Sequence, residues 1–134
     1  MIVVDSNVIA YCWIHGERTA LAHRLRRLDP DWHAPLLWRS ELRNILIGYR
    51  RDGSLAEAQV RRIMAAAEAG FGGREHHLPS DRVFAVTERH RLSAYDAEFV
   101  ALAEILGAPL VTEDRAILKC WPGHALSLDA AMDI

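Results

Sequence analysis

With 134 residues, 51% apolar and 25% charged, and a net charge of −2, the chain has the size and composition of one folded domain, expected over residues 1–134. This composition excludes disorder, and no apolar run is long enough to cross a bilayer. No basic, signal-like segment precedes the strand-like start Met1-Ile2-Val3-Val4-Asp5, so a cytoplasmic protein with no membrane partner is expected.

Ile2 to Val4 reads as a short buried strand, stopped by the turn and cap residues Asp5-Ser6-Asn7. A helix follows through Val8, Ile9 and Trp13, and a second over Thr19 to Leu28 carries Leu21, Ala22, Leu25 and Leu28 at helical spacing. Trp32-His33-Ala34 predicts a second strand. Pro35 is expected to open a helix from Leu36 to Arg51, closed by Asp52-Gly53, and Ser54 to cap the next, which runs to Ala69 and folds back on its predecessor. Glu75 to Leu78 predicts a third strand. Helices capped at Pro79-Ser80 and at Ser93 follow, the second ended by Gly107. Leu110-Val111-Thr112 predicts a buried strand, Asp114 to Cys120 a short helix, and Ala125 to Leu128 a last strand. Strands alternating with helices, with no hairpin turns, predict an α/β fold whose mostly parallel sheet is covered on both faces.

Four acids stand in settings that suit a carboxylate only if a cation or a helix end awaits it. Asp5 ends the first strand, Glu41 interrupts the stripe Leu37, Asn44, Ile45 and Gly48 of a helix, Asp96 opens another helix, and Asp114 follows the late strand. Arg39 and Arg43 point away from Glu41 on the helical wheel, so neither is its partner within the helix. Each acid has a plain structural reading. Asp5 and Asp114 can cap helices, Asp96 sits at capping-box spacing from Ser93, and Glu41 can lie at the edge of a buried face. In open parallel sheets ligands bind beyond the carboxyl ends of the strands, which makes Asp5 and Asp114 neighbours.

The chain resembles the PIN domain family, and within it the VapC-like toxin ribonucleases. The resemblance covers nearly the whole length and is carried by Val3-Val4-Asp5-Ser6-Asn7, Trp38-Arg39-Ser40-Glu41-Leu42-Arg43-Asn44, Leu92-Ser93-Ala94-Tyr95-Asp96-Ala97 and Leu110-Val111-Thr112-Glu113-Asp114. It implies a PIN-like three-layer α/β/α sandwich around a mostly parallel sheet of four or five short strands. By position, Asp5, Glu41, Asp96 and Asp114 match the family's catalytic and metal-binding acids, while Ser6, Asn7 and Thr112 match or flank its accessory polar positions. Glu113 is a rival to Asp114 for the last place, which the Thr-x-Asp spacing gives to Asp114. The implied activity is a ribonuclease in which water attacks a phosphodiester and leaves a 5′-phosphate and a 3′-hydroxyl. The implied partners are an RNA substrate, a small antitoxin and a second copy of the chain.

The residue types fit that chemistry. A cluster of oxygen ligands without His or Cys selects Mg²⁺ or Mn²⁺ over zinc. Asp5 and Asp96 are expected as the most direct ligands, Asp114 as completing the site, and Glu41 as ligand or orienter of the attacking water. The segment Arg18 to Arg62 carries ten arginines against five acids, and its Arg39 and Arg43 are candidate RNA contacts. Trp13, Trp32, Trp38 and Trp121 are expected in the core before they are expected to stack on bases. Cys12 and Cys120 lack the spacing of a zinc site or a disulfide framework.

Other readings compete. A haloacid-dehalogenase-type phosphatase needs Asp-x-Asp where this chain has Asp5-Ser6-Asn7, and a receiver-like domain needs a late lysine where the sole lysine is Lys119. A non-toxin RNA-processing PIN enzyme and a catalytically silent PIN-like module share the fold and differ in use.

Overall fold

The computed structural model describes residues 1–133. In chain order the elements are β1 (Ile2–Val4), α1 (Ser6–Trp13), α2 (Thr19–Leu28), β2 (Trp32–Pro35), α3 (Leu37–Arg51), α4 (Glu57–Phe71), β3 (Glu75–His76), α5 (Ser80–Arg89), α6 (Ala94–Leu106), β4 (Leu110–Val111), α7 (Arg115–Cys120), β5 (Ala125–Leu126) and α8 (Leu128–Ala131). Five strands form one sheet in the order β3-β2-β1-β4-β5, and every pairing is parallel. The α/β sandwich expected from the sequence is therefore present, with the sheet wholly parallel.

Successive strand residues face opposite sides, and three residues of β1 are enough to show it. Ile2 and Val4 bury against Val8, Leu25, Trp38, Leu42 and Phe71, in a core built from α1 to α4 and α8. Val3 buries against Val86, Phe99, Leu102 and Ile117, in a second core built from α5, α6 and α7. As the central strand, β1 lies between β2 and β4, with Val3 opposite His33 on one side and Leu110 on the other. Trp32 and Trp38 are 2% and 0% exposed, and Trp38 stacks on Phe71 at 4.6 Å, so both are core residues as expected.

Most predicted helix ends hold. The Ser93 hydroxyl accepts the Asp96 N–H at 3.1 Å, and Gly107, at φ 62°, closes α6 in the left-handed conformation that glycine adopts freely. Four boundaries differ. Pro35 ends β2 opposite His76 instead of opening α3; with no N–H to give, it costs little at a strand end, and Leu36 supplies the next donor to His76 O at 3.0 Å. Ser54 does not cap α4, because its N–H closes a tight turn onto Asp52 Oδ1 at 2.8 Å. The helix starts after Ala56, whose N–H donates to Gln59 Oε1 at 2.7 Å, and it continues to Phe71, whose ring is fully buried. Strand β3 is confined to Glu75–His76. The predicted strand from Ala125 to Leu128 divides, since the Ser127 hydroxyl accepts the Ala130 N–H at 3.1 Å and starts α8. Among the described residues no helix is long and apolar enough to cross a membrane.

Candidate active site

Asp5 leaves β1 still tied to the sheet, its N–H donating to Val111 O at 3.0 Å, and its carboxylate becomes the N-cap of α1. Asp5 Oδ1 accepts the Ser6 N–H at 2.6 Å, and Oδ2 accepts the Thr112 hydroxyl at 2.5 Å. The same Thr112 oxygen accepts the Asp114 N–H at 2.9 Å, so one hydroxyl fixes both strand-end acids. Asp114 Oδ1 caps α7 by accepting the Ile117 N–H at 3.0 Å, which leaves Oδ2 free of that duty. Glu41 reaches across from α3, where Oε1 accepts the Ser6 hydroxyl at 2.7 Å. Asp96 joins from the first turn of α6. All four acids, with Ser6 and Asn7, line one open cleft of about 470 Å³ beyond the carboxyl ends of β1 and β4.

The capping roles that the sequence allows are thus realised for Asp5 and Asp114 and are compatible with a place in the cleft. Ser93 caps α6 through the Asp96 backbone, leaving the Asp96 carboxylate facing the other acids.

Electrostatics set this cleft apart. Asp5 is 7% exposed, and burial pushes its carboxyl up to about 6 against the pull of Thr112 and Ser6, with Glu41 and Asp96 adding repulsion. Burial likewise raises Glu41, with Asp96 adding to the effect and the Ser6 hydroxyl opposing it. Asp96 is raised by burial and then by the charge of Asp114. Among the described residues, no basic side chain makes an ion pair with any of the four.

Glu113, the rival of Asp114, turns the other way. Its Oε1 receives Arg18 at 2.8 Å and the Leu128 N–H at 2.9 Å, so it joins α2 to the start of α8 and stays out of the cleft. Arg39, a candidate RNA contact, is engaged within the fold. Its fork grips both oxygens of Glu75 at 2.7 and 2.8 Å and also meets Glu68, which commits its donors to joining α3, α4 and β3. Arg43 is exposed on α3. Ser40, Asn44 and Tyr95 line the cleft without being singled out by the sequence, and only Asn44 had a signal, its place on the Glu41 stripe. Glu98 is a further half-buried acid whose carboxyl is raised by burial and then by Glu41, which places it near the cleft; nothing in its sequence setting marks it.

The donors suit a hard cation. Apart from Leu37 and Ile45, every side chain lining the cleft offers oxygen, and among the described residues the four acids have no basic partner. Among the described residues no three carboxylate, imidazole or thiolate groups stand in position to hold one ion by themselves. Waters or a substrate phosphate would have to complete the coordination of any ion held here.

Comparison with known proteins agrees with this geometry. The PIN domain family model matches residues 2–120. The chain is 30% identical over 124 residues to Ribonuclease VapC3 of Pyrobaculum aerophilum, covering 90% of this chain and 95% of that one. It is 29% identical over 126 residues to Ribonuclease VapC3 of Mycobacterium tuberculosis, covering 93% and 91%. Its fold is similar to the crystal structure of PAE2754 from Pyrobaculum aerophilum, with a TM-score of 0.78, 22% identity and coverage of 98% of this chain and 86% of that one. A toxin-antitoxin complex from Klebsiella pneumoniae matches with a TM-score of 0.66 at 16% identity, covering 96% and 98%. With a five-stranded parallel sheet, four acids at its carboxyl end and a family match over nearly all of its length, this chain belongs to the PIN domain family.

Proposed function

We propose that residues 1–134 act as one metal-dependent endoribonuclease, the toxin of a toxin-antitoxin pair, working on RNA in the cytoplasm. The observation that carries this reading is the convergence of Asp5, Glu41, Asp96 and Asp114, all without basic partners, in one cleft. The relatives named ribonucleases support the substrate class, and the likeness to a toxin-antitoxin complex supports a small antitoxin as partner. A homodimer is part of the same proposal.

Asp5 and Asp96 would hold Mg²⁺ or Mn²⁺, with Asp114 completing the set through the oxygen that its capping bond leaves free. Such an ion would supply a lowered pKa for water and an offset to the charge growing on the phosphate. Glu41, fixed at Oε1 by Ser6, orients the attacking water with its other oxygen and takes its proton. The water oxygen bonds to phosphorus while the bond from phosphorus to the 3′ oxygen breaks, and the departing 3′ oxyanion takes a proton from solvent, leaving a 5′-phosphate and a 3′-hydroxyl. Thr112 and Ser6 position the carboxylates, Asn7 faces the substrate, and Arg43 contacts its backbone. The test is Mn²⁺-dependent cleavage of single-stranded RNA by the purified chain. Cleavage that persists in EDTA, or in Asp96→Asn, overturns the mechanism.

A further inference from the structure

Beside the acidic cleft lies a larger cavity, a space of about 630 Å³ between the turn joining α1 to α2 and the turn joining α3 to α4. The two spaces share walls, since Asn7 and Ile45 line both. The neighbour has a different character. Its walls carry the aromatic rings of Tyr11, His15 and the 40% exposed Tyr49, the apolar side chains of Ile14 and Leu55, and one carboxylate, Glu17, which repels phosphate. Its one arginine, Arg18, is engaged by Glu113 at 2.8 Å and Asp129 at 3.3 Å, with its guanidinium 5.7 Å from the centre of the Tyr11 ring. A space with flat rings, apolar walls and no uncommitted arginine is poorly suited to phosphate and well suited to an uncharged heteroaromatic group.

We propose that this cavity is a nucleobase subsite, in which Tyr49 and Tyr11 stack an unpaired base of the RNA next to the phosphodiester being cut. The proposal rests on the ribonuclease reading, because a phosphodiester over the four acids puts the adjoining nucleotide at the Asn7–Ile45 boundary. Single-stranded RNA is commonly read by unstacked bases laid on aromatic side chains and arginine planes, and the volume lies within the range of small-ligand pockets. Asn7 stands at the junction, where its amide can meet a base edge as both donor and acceptor. Tyr49 and Tyr11 are therefore assigned as specificity-determining residues, outside the cleavage chemistry.

The test uses the full chain with Mn²⁺ and a pool of single-stranded RNA oligonucleotides randomised around a cut site, read by sequencing the cleaved ends, with KM and kcat on one preferred oligonucleotide. Wild type should prefer particular bases at one position beside the cut. Tyr49→Ala should flatten that preference and raise KM about tenfold with kcat within about twofold, and Tyr49→Phe should keep both, the expected pattern for a stacked base. Gly16→Trp should reproduce the Tyr49→Ala result by filling the cavity; a Cβ at Gly16 meets nothing within 4 Å, so the new side chain starts in open space. Unchanged base preference and KM in both cavity variants overturn the subsite while the ribonuclease reading stands. Absence of any cleavage by wild type brings down both. Variants that cut RNA normally but are no longer inhibited by a co-expressed protein partner assign the cavity to that protein and overturn the proposal.

Discussion

Two sets of acids in this molecule differ in one respect: whether an arginine meets them. On the flanks, Glu75 and Glu68 receive Arg39, and Glu113 and Asp129 receive Arg18. Arg39 holds the Glu75 carboxyl below its ordinary range. In the cleft the shifts run the other way, with Asp5, Glu41 and Asp96 all raised first by burial and then by neighbouring acids, Asp114 among them. The chain has arginines to spare, fifteen of its sixteen basic residues, yet none of them pairs with the four cleft acids. Acids that serve the fold are neutralised within the chain, and acids left to repel one another await a cation from outside.

The comparison breaks if a cleft acid proves to be structural. Asp5→Asn and Asp96→Asn should each lower Mn²⁺-dependent RNA cleavage at least about a hundredfold with the fold intact, measured by cleavage gels beside thermal melts. Thr112 tolerates the Asp5 change, since its oxygen can accept from the new amide. Stability should sharpen the contrast. With its carboxyl near 6 in the folded chain against an ordinary 3.8, Asp5 binds its proton more tightly when folded. It therefore costs nothing below about pH 4, and its destabilisation grows as pH rises through 6, to about 2–3 kcal/mol. In metal-free buffer, urea melts should show stability falling between pH 4 and 7 in wild type and a flatter profile in Asp5→Asn, with Mn²⁺ restoring the loss in wild type only.

Removing a cation from the flank should do what removing an acid from the cleft does not. Arg39→Ala should destabilise by about 1–2 kcal/mol in urea, discounted for its partial exposure, because it strands Glu75 and Glu68. The smallest effect separates the two adjacent acids after β4. Glu113→Gln should cost about 1 kcal/mol or less and leave cleavage within about threefold, whereas Asp114→Asn should abolish cleavage.

What the sequence displays well is local. Asp5 at a strand end, Ser93 three residues before Asp96, and Gly107 after an apolar helix are short-range signals, and they placed β1, α1 and α6 correctly. What the sequence does not display is set by distance. That Glu113 belongs to Arg18, 95 positions away, and Arg39 to Glu75, 36 away, depends on which helices meet, and no window of sequence contains both partners. Ser54 and Pro35 fail differently. Each is a good helix starter in isolation, but a local turn onto Asp52 claimed one and pairing with β3 claimed the other.

The bond from Thr112 to Asp5 spans 107 positions of chain. Its consequence is one of timing. The ribosome makes Thr112 107 residues after Asp5, and the hydroxyl that aims the carboxylate arrives only when β4 has docked beside β1. A chain that stops before Leu110 carries Asp5, Glu41 and Asp96 but neither Asp114 nor the Thr112 hydroxyl that aims Asp5. A cleft assembled in this order is completed only after β4 has been made.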